Sequence, residues 1–299
     1  MLLALDVGNT QTVVGIFDDL LPAPSPGRVG GELDGLVHHW RIATVADRTA
    51  DEHALLVSDL LRLAGIVVPG GVSSSFAAGV APVGTVDGIV VCSSVPSVTA
   101  ALRLTAERWF AVPLVVVGPG VRTGIPVLYD DPREVGADRV VNAVAAVDLY
   151  GGPAIVVDLG TATTFDAISS AGEYLGGAIV PGIEISMGAL FEHAAALRRV
   201  ELVAPSSVIG RSTVESMQAG AVYGYAALVD GLCRRMSGEL GGATVIATGG
   251  LAPLVAPHTS VVDHYEPWLT LHGLRLVYER NGARPAPGAG ATARDRSPR

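Results

Sequence analysis

The sequence predicts an internally duplicated α/β protein, with two mixed sheets flanked by helices and a cleft between the halves. Two observations carry this. A strand–Asp–x–Gly–turn–strand device opens the chain at residues 2–17, LLALDVGNTQTVVGIF, and returns at 154–168, AIVVDLGTATTFDAI. Each copy is then followed by alternating apolar strand and helix patterns. Hairpin-joined strands are antiparallel and helix-linked strands parallel, which makes the sheets mixed. At 299 residues the chain has material for two such units. The expected units span 1–148 and 149–280.

In chain order, residues 2–5 and 13–17 read as strands joined by a tight Gly-Asn-Thr turn. The Pro- and Gly-rich run over 20–39 reads as a loop insertion. Trp40–Thr44 reads as a third strand. Thr49–Gly65 has helical spacing of leucines behind the acidic pair Asp51 and Glu52. Gly88–Cys92 and Leu114–Val117 are short apolar strands of the buried type, separated by a helix over Val98–Phe110. In the second half, Val140–Leu149 reads as a helix with Gly136, Ala137 and Asp138 at its start. Ala154–Val157, Thr164–Ile168 and Leu175–Val180 read as strands, and Ser186–Ala196 and Val214–Met236 as helices. Thr244–Ala247 is a strand running into Thr248-Gly249-Gly250, and Leu269–Glu279 a last helix. Residues 281–299 hold almost nothing to bury and read as a disordered tail.

Composition narrows the chemistry. Only 16% of residues are charged and the net charge is −9, so no nucleic-acid partner is expected. All 20 basic residues are arginine. That excludes a P-loop lysine, a kinase strand lysine and Schiff-base chemistry. Cys92 and Cys233 sit in apolar surroundings and read as reduced, structural thiols. No cationic start precedes Leu2–Leu5, and no apolar run reaches the ~18 residues of a membrane span. The expectation is a cytoplasmic protein with no membrane partner. The seven histidines show no ligand spacing.

The duplicated turns suit a nucleoside triphosphate. Asp6 lies at a strand end beside a glycine turn, with no neighbouring base in sequence, and a hydrated Mg²⁺ on ATP phosphates would satisfy it. Gly8 permits close backbone approach, the N–H groups over Gly8–Thr10 form an anion-binding concavity, and Thr10 and Thr12 add hydroxyls. Asp158, Gly160, Thr161, Thr163 and Thr164 repeat the device. Gly249 and Gly250 offer side-chain-free backbone for a purine. Asp138, at a helix start, feels the positive end of the helix dipole, which favours the ionised form a general base needs. A plain helix cap is the alternative there. Arg139 is equally an anchor for an acidic substrate or a structural ion pair.

These three segments resemble the phosphate-1, phosphate-2 and adenosine motifs of the acetate-kinase, sugar-kinase, Hsp70 and actin class, an actin-like, ribonuclease-H-like fold. With GADR at 136–139, GGAIVPG at 176–182, STVESMQAG at 212–220 and LTLHGL at 269–274 added, residues 1–275 resemble a type III pantothenate kinase. The resemblance implies ATP-dependent phosphorylation of pantothenate to 4'-phosphopantothenate, the entry step to coenzyme A. It implies Asp138 as the base. ATP contacts fall to Asp6, Val7, Gly8, Asn9, Thr10, Gln11, Thr12, Val13, Thr161, Gly249 and Gly250. Pantothenate contacts fall to Tyr129, Gly136, Ala137, Asp138, Arg139 and Thr213. Asp158 is the implied ligand of a monovalent cation, K⁺ or NH₄⁺, and the implied assembly is a homodimer. A non-catalytic nucleotide-binding relative, or a kinase for another small hydroxy acid, is the rival reading.

Overall fold

The computed structural model describes residues 1–18, 33–69, 83–194 and 197–282. β1 (Leu2–Val7), β2 (Gln11–Phe17) and β3 (Leu36–Ala43) form an antiparallel meander. After α1 (Ala50–Leu63) and the two-residue pair β4 (Ile66–Val67) and β5 (Gly84–Thr85), β6 (Gly88–Ser93) returns parallel to β1. α2 (Pro96–Thr105) leads to β7 (Leu114–Val116), parallel to β6. α3 (Ala137–Tyr150) then starts the second half. There β8 (Ala154–Leu159), β9 (Ala162–Ile168) and β10 (Tyr174–Pro181) are again an antiparallel meander. α4 (Ile183–His193), α5 (Thr213–Leu240), β11 (Thr244–Thr248), the short α6 (Ala252–Val255), β12 (His264–Tyr265) and α7 (Leu269–Asn281) complete the chain. The five-stranded sheets run β3-β2-β1-β6-β7 and β10-β9-β8-β11-β12, one topology used twice. The duplicated, mixed-sheet α/β architecture expected from sequence is the one observed.

Several boundaries differ. β3 begins at Leu36, because pairing with β2 runs through Phe17↔Leu36; residues 36–39 of the expected insertion are therefore strand, and its part over 20–32 lies outside the described residues. The single helix expected over Val98–Phe110 is α2 followed by a π-helical turn, Ala106–Phe110, closed by Ala111 at φ 51°. α4 starts three residues early and stops at His193, and the strands of both meanders run through their aspartates. Of the expected tail, Asn281 ends α7, and 283–299 lies outside the described residues.

The position of α3 decides where the site forms. It is apolar nearly all round, as a helix buried on every side must be. Val141 and Val144 pack with Leu2 and Ala4 of β1 and with Leu271, Leu274 and Val277 of α7. Val140, Ala143 and Ala146, on the other flank, pack with Ala154 and Val156 of β8. α3 is thus wedged between the two sheets. The outer faces are covered by α1 and α2 on the first sheet and by α4 and α5 on the second. Gly273 permits close helix contact, since a Cβ there would lie 2.1 Å from the Val141 carbonyl oxygen.

Candidate functional site

Strand periodicity aims the two duplicated aspartates at α3. Residues 2, 4 and 6 of β1 share one face, as do 154, 156 and 158 of β8. The first two of each set pack on α3. Asp6 and Asp158 therefore emerge at the strand ends, on the α3 side, where Asp138 occupies the first turn of that helix. The turns meet directly: Thr10 Oγ1 and Thr161 Oγ1 lie 3.1 Å apart, across 151 residues of sequence.

Electrostatics report the same convergence. Burial raises Asp6 from 3.8 to about 6; Asp138 adds to the rise, while a hydrogen bond from Cys92 and the charge of Arg41 oppose it. Burial raises Asp158 to about 7, with Asp138, Asp6 and Asp166 each pushing further. Cys92 donates to Asp6 Oδ1 at 3.2 Å, which gives this thiol a polar duty beyond packing. Asn142 donates to Asp158 Oδ2 at 3.2 Å and is itself held by Thr270 at 2.8 Å. Desolvated carboxylates that repel one another are what a cation offsets, and all-oxygen donors suit Mg²⁺ and alkali ions. Among the described residues no cluster of three or more His, Cys, Asp or Glu forms a protein-only metal cage. Carboxylate and hydroxyl oxygens of this kind suit an ion that also binds phosphate and water.

The first turn divides its residues. Gly8 N–H closes the hairpin on the Gln11 carbonyl at 3.0 Å, so the concavity must rely on the N–H groups beyond it. Asn9, Thr10 and Gln11 are exposed at the tip. Val7 is a core residue that offers only backbone, and Val13 packs partly buried beside Asp6. Thr12 departs from the expected hydroxyl role. It pairs with Val7 on the opposite face, is buried, and shares a 2.8 Å hydrogen bond with Thr44. Across the cleft, Gly249 stands at φ 93°, and a Cβ there would lie 2.5 Å from Asp158 Oδ1. Only glycine lets this turn rest on the carboxylate. A Cβ on Gly250 would lie 3.3 Å from Arg41 Nη1.

A second cluster adjoins the helix start. Gly136 is the N-cap of α3, and Asp138 Oδ1 accepts from Arg139 N at 2.9 Å. Arg139 is buried and donates through Nε to Asp166 Oδ1 at 2.7 Å, while its Nη2 has no hydrogen-bond partner among the described residues. Asp166 also accepts from Tyr174 OH at 2.9 Å and Thr164 Oγ1 at 3.3 Å. Burial raises Asp166 to about 6 against the lowering effect of Arg139 and Tyr174. Tyr129 lies 6.4 Å from Tyr174 ring to ring and covers Gly176, where a Cβ would approach its ring to 3.2 Å. Tyr129 and Arg139 are thus linked through Tyr174 and Asp166, beside Asp138. Thr213 is not part of this cluster. It sits at the start of α5 in a separate groove of about 910 Å³ that includes Met187, Leu190, Arg211 and Tyr225 and none of the other candidate residues.

Sequence reasoning missed Asp166, Tyr174, Asn142 and Arg41. Asp166 was within reach, as the one charged residue of its strand, two positions past Thr164; the others depend on pairings that only the fold creates.

The family model of type III pantothenate kinase matches residues 2–235. A type III pantothenate kinase of Streptomyces avermitilis is 54% identical over 289 residues, covering 95% of this chain and 100% of the relative. Its counterpart in Myxococcus xanthus is 50% identical over 284 residues, with 95% and 100% covered. Among solved structures, a Campylobacter jejuni protein assigned to the Baf family of transcriptional activators superposes with a TM-score of 0.55 at 16% identity, covering 93% of this chain and 98% of that one. A Sinorhizobium meliloti protein assigned as a 2-dehydro-3-deoxygalactonokinase gives 0.55 at 13%, covering 95% and 98%. At such identities these two speak for a shared fold alone.

Proposed function

We propose that this chain, which belongs to the type III pantothenate kinase family, phosphorylates pantothenate from ATP in coenzyme A biosynthesis with Asp138 as its base. The observation that carries the reading is the 3.1 Å contact between Thr10 and Thr161, which closes the two duplicated turns over the Asp6, Asp138 and Asp158 carboxylates. ATP phosphates lie between those turns, against Asn9, Thr10 and Thr161, with the adenosine toward Gly249 and Gly250. Asp138 takes the proton of the pantothenate hydroxyl as its oxygen bonds to the γ-phosphorus and the bond to ADP breaks. The free Nη2 of Arg139 supports a role in holding the acid end of the substrate, since a buried guanidinium N–H seeks a carboxylate. Tyr129 walls the same pocket. Catalysis is then positioning and charge stabilisation, as in phosphoryl transfer generally.

Asp6 would hold Mg²⁺ through water, where the ion would neutralise phosphate charge, and Asp158 would hold K⁺ or NH₄⁺, which would offset the repulsion among the carboxylates. A homodimer is supported by large apolar side chains exposed in or next in sequence to the Thr213 groove: Ile185, Leu190, Ile209 and Val214. A second copy covering this face is what would bring Thr213 to a pantothenate pocket. Among the described residues no helix is long and apolar enough to cross a membrane; a cytoplasmic location fits the substrates.

The test is ATP turnover with pantothenate against a panel of sugars and hydroxy acids, in K⁺ and in Na⁺. Asp138→Asn should keep ATP-induced thermal stabilisation while turnover falls at least ~100-fold. Turnover within about threefold of wild type would remove Asp138 from the role. ATP binding without turnover on any acceptor would favour a non-catalytic relative.

A further inference from the structure

The cleft is rich in carboxylates, and a triphosphate entering it brings more negative charge. The chain has no lysine to meet that charge. Arg139 is committed through Nε to Asp166. Arg41 has no such commitment. It lies in β3 opposite Val13, which lies opposite Asp6, so the three side chains share one face of the first sheet. Its guanidinium stands 5.6 Å from the centroid of the Trp268 ring, which His39 approaches at 4.0 Å from the same strand. Stacking of this kind fixes a planar cation without consuming its N–H donors. Among the described residues it has no carboxylate partner within ion-pair distance. Nη1 meanwhile sits at the Gly250 turn of the opposite sheet.

We infer that Arg41, presented on the Trp268 ring between Asp6 and the Gly249–Gly250 turn, binds the phosphate oxygens of the nucleotide from the first-sheet side of the cleft. The inference rests on the cleft being the ATP site and names the cation that site uses. A guanidinium offers parallel donors to adjacent oxygens, a geometry a single backbone turn cannot supply. Its charge also lowers the cost of ionising Asp6, as its opposing effect on that carboxyl shows. Gly250 then has a steric duty besides any purine contact, because a side chain there would press on the guanidinium.

The alternative is that Arg41 merely packs on Trp268, and nucleotide binding separates the two. Dissociation constants of ATP, ADP and adenosine are measured without pantothenate, by calorimetry and thermal shift, for wild type, Arg41→Ala, Arg41→Gln and Arg41→Lys. A charge-assisted contact to phosphate predicts at least ~10-fold weaker ATP and ADP binding for Ala and Gln, adenosine within ~2-fold of wild type, and an intermediate loss for Lys. The glutamine variant keeps a long polar stem, so it reports on the charge should the alanine variant misfold. ATP binding within ~2-fold of wild type in either variant overturns the inference. Equal losses for adenosine and ATP also overturn it, since they would place the effect on the base or on packing. Failure of wild type to bind ATP at all would instead overturn the reading of the cleft itself.

Discussion

Replacing Asp166 by alanine should leave Arg139 charged in a site that excludes water. The pair has side-chain exposures of 9% for Arg139 and 0% for Asp166, with a 2.7 Å contact. Asp166 also takes hydrogen bonds from Tyr174 and Thr164, so its removal orphans donors as well as a charge. Breaking one partner of a buried pair costs about 3–5 kcal/mol. In a chain of this size each kcal/mol is worth roughly 2–4 °C, so the ligand-free melting temperature should fall by about 6–20 °C. Circular dichroism or fluorescence melts at pH 8, where Asp166 is ionised, read this directly. Arg139→Met combined with Asp166→Ala should recover at least half of the loss, because it removes the stranded charge and keeps the volume. A single-variant drop below ~3 °C, or a double variant no more stable than the single, would refute the reasoning.

The pH dependence of stability has a definite sign. Asp158 is raised from 3.8 to about 7, so the folded state holds its proton more tightly than the unfolded one. Its stabilising contribution is complete below about pH 4 and is lost as pH rises through 7. Ligand-free Asp158→Asn should therefore melt above wild type at pH 8 in cation-free buffer and lose that advantage by pH 4; an advantage that grows on acidification contradicts this. Gly177→Ala would put a Cβ 1.7 Å from the Phe165 carbonyl oxygen and 3.1 Å from Arg139 Nη2. It should lower the melting temperature by several degrees and raise KM for pantothenate, whereas Gly188→Ala, which meets no atom outside its own helix turn within 4 Å among the described residues, should not be destabilising; equal behaviour of the two would contradict the packing account.

What could be read from sequence was what is local. The duplicated turns announce themselves, because a carboxylate, glycine and hydroxyls between apolar runs have few structural uses. Asp138 was legible as a carboxylate at a helix start. Thr12 turns to the face away from Asp6, because the hairpin pairs it with Val7. Arg41 was hidden because its value depends on β3 register and on Trp268, which arrives 227 positions later in the numbering. The Arg139–Asp166–Tyr174 network was hidden because the β9–β10 register shifts between Tyr174 and Gly176. The π-helical turn after α2 has the same apolar spacing as the helix it extends. β12 is two residues long, too short to carry a pattern.

The return of α7 to the first sheet bears on how the protein is made. Leu271, Leu274 and Val277 complete a layer begun by Leu2 and Ala4, so that layer stays open until α7 has been made. Nascent chains usually settle their leading portions as they emerge. Here Leu2 and Ala4 must wait for a helix made about 270 positions after them, and the emergence of α7 becomes the event that seals this layer of the first sheet.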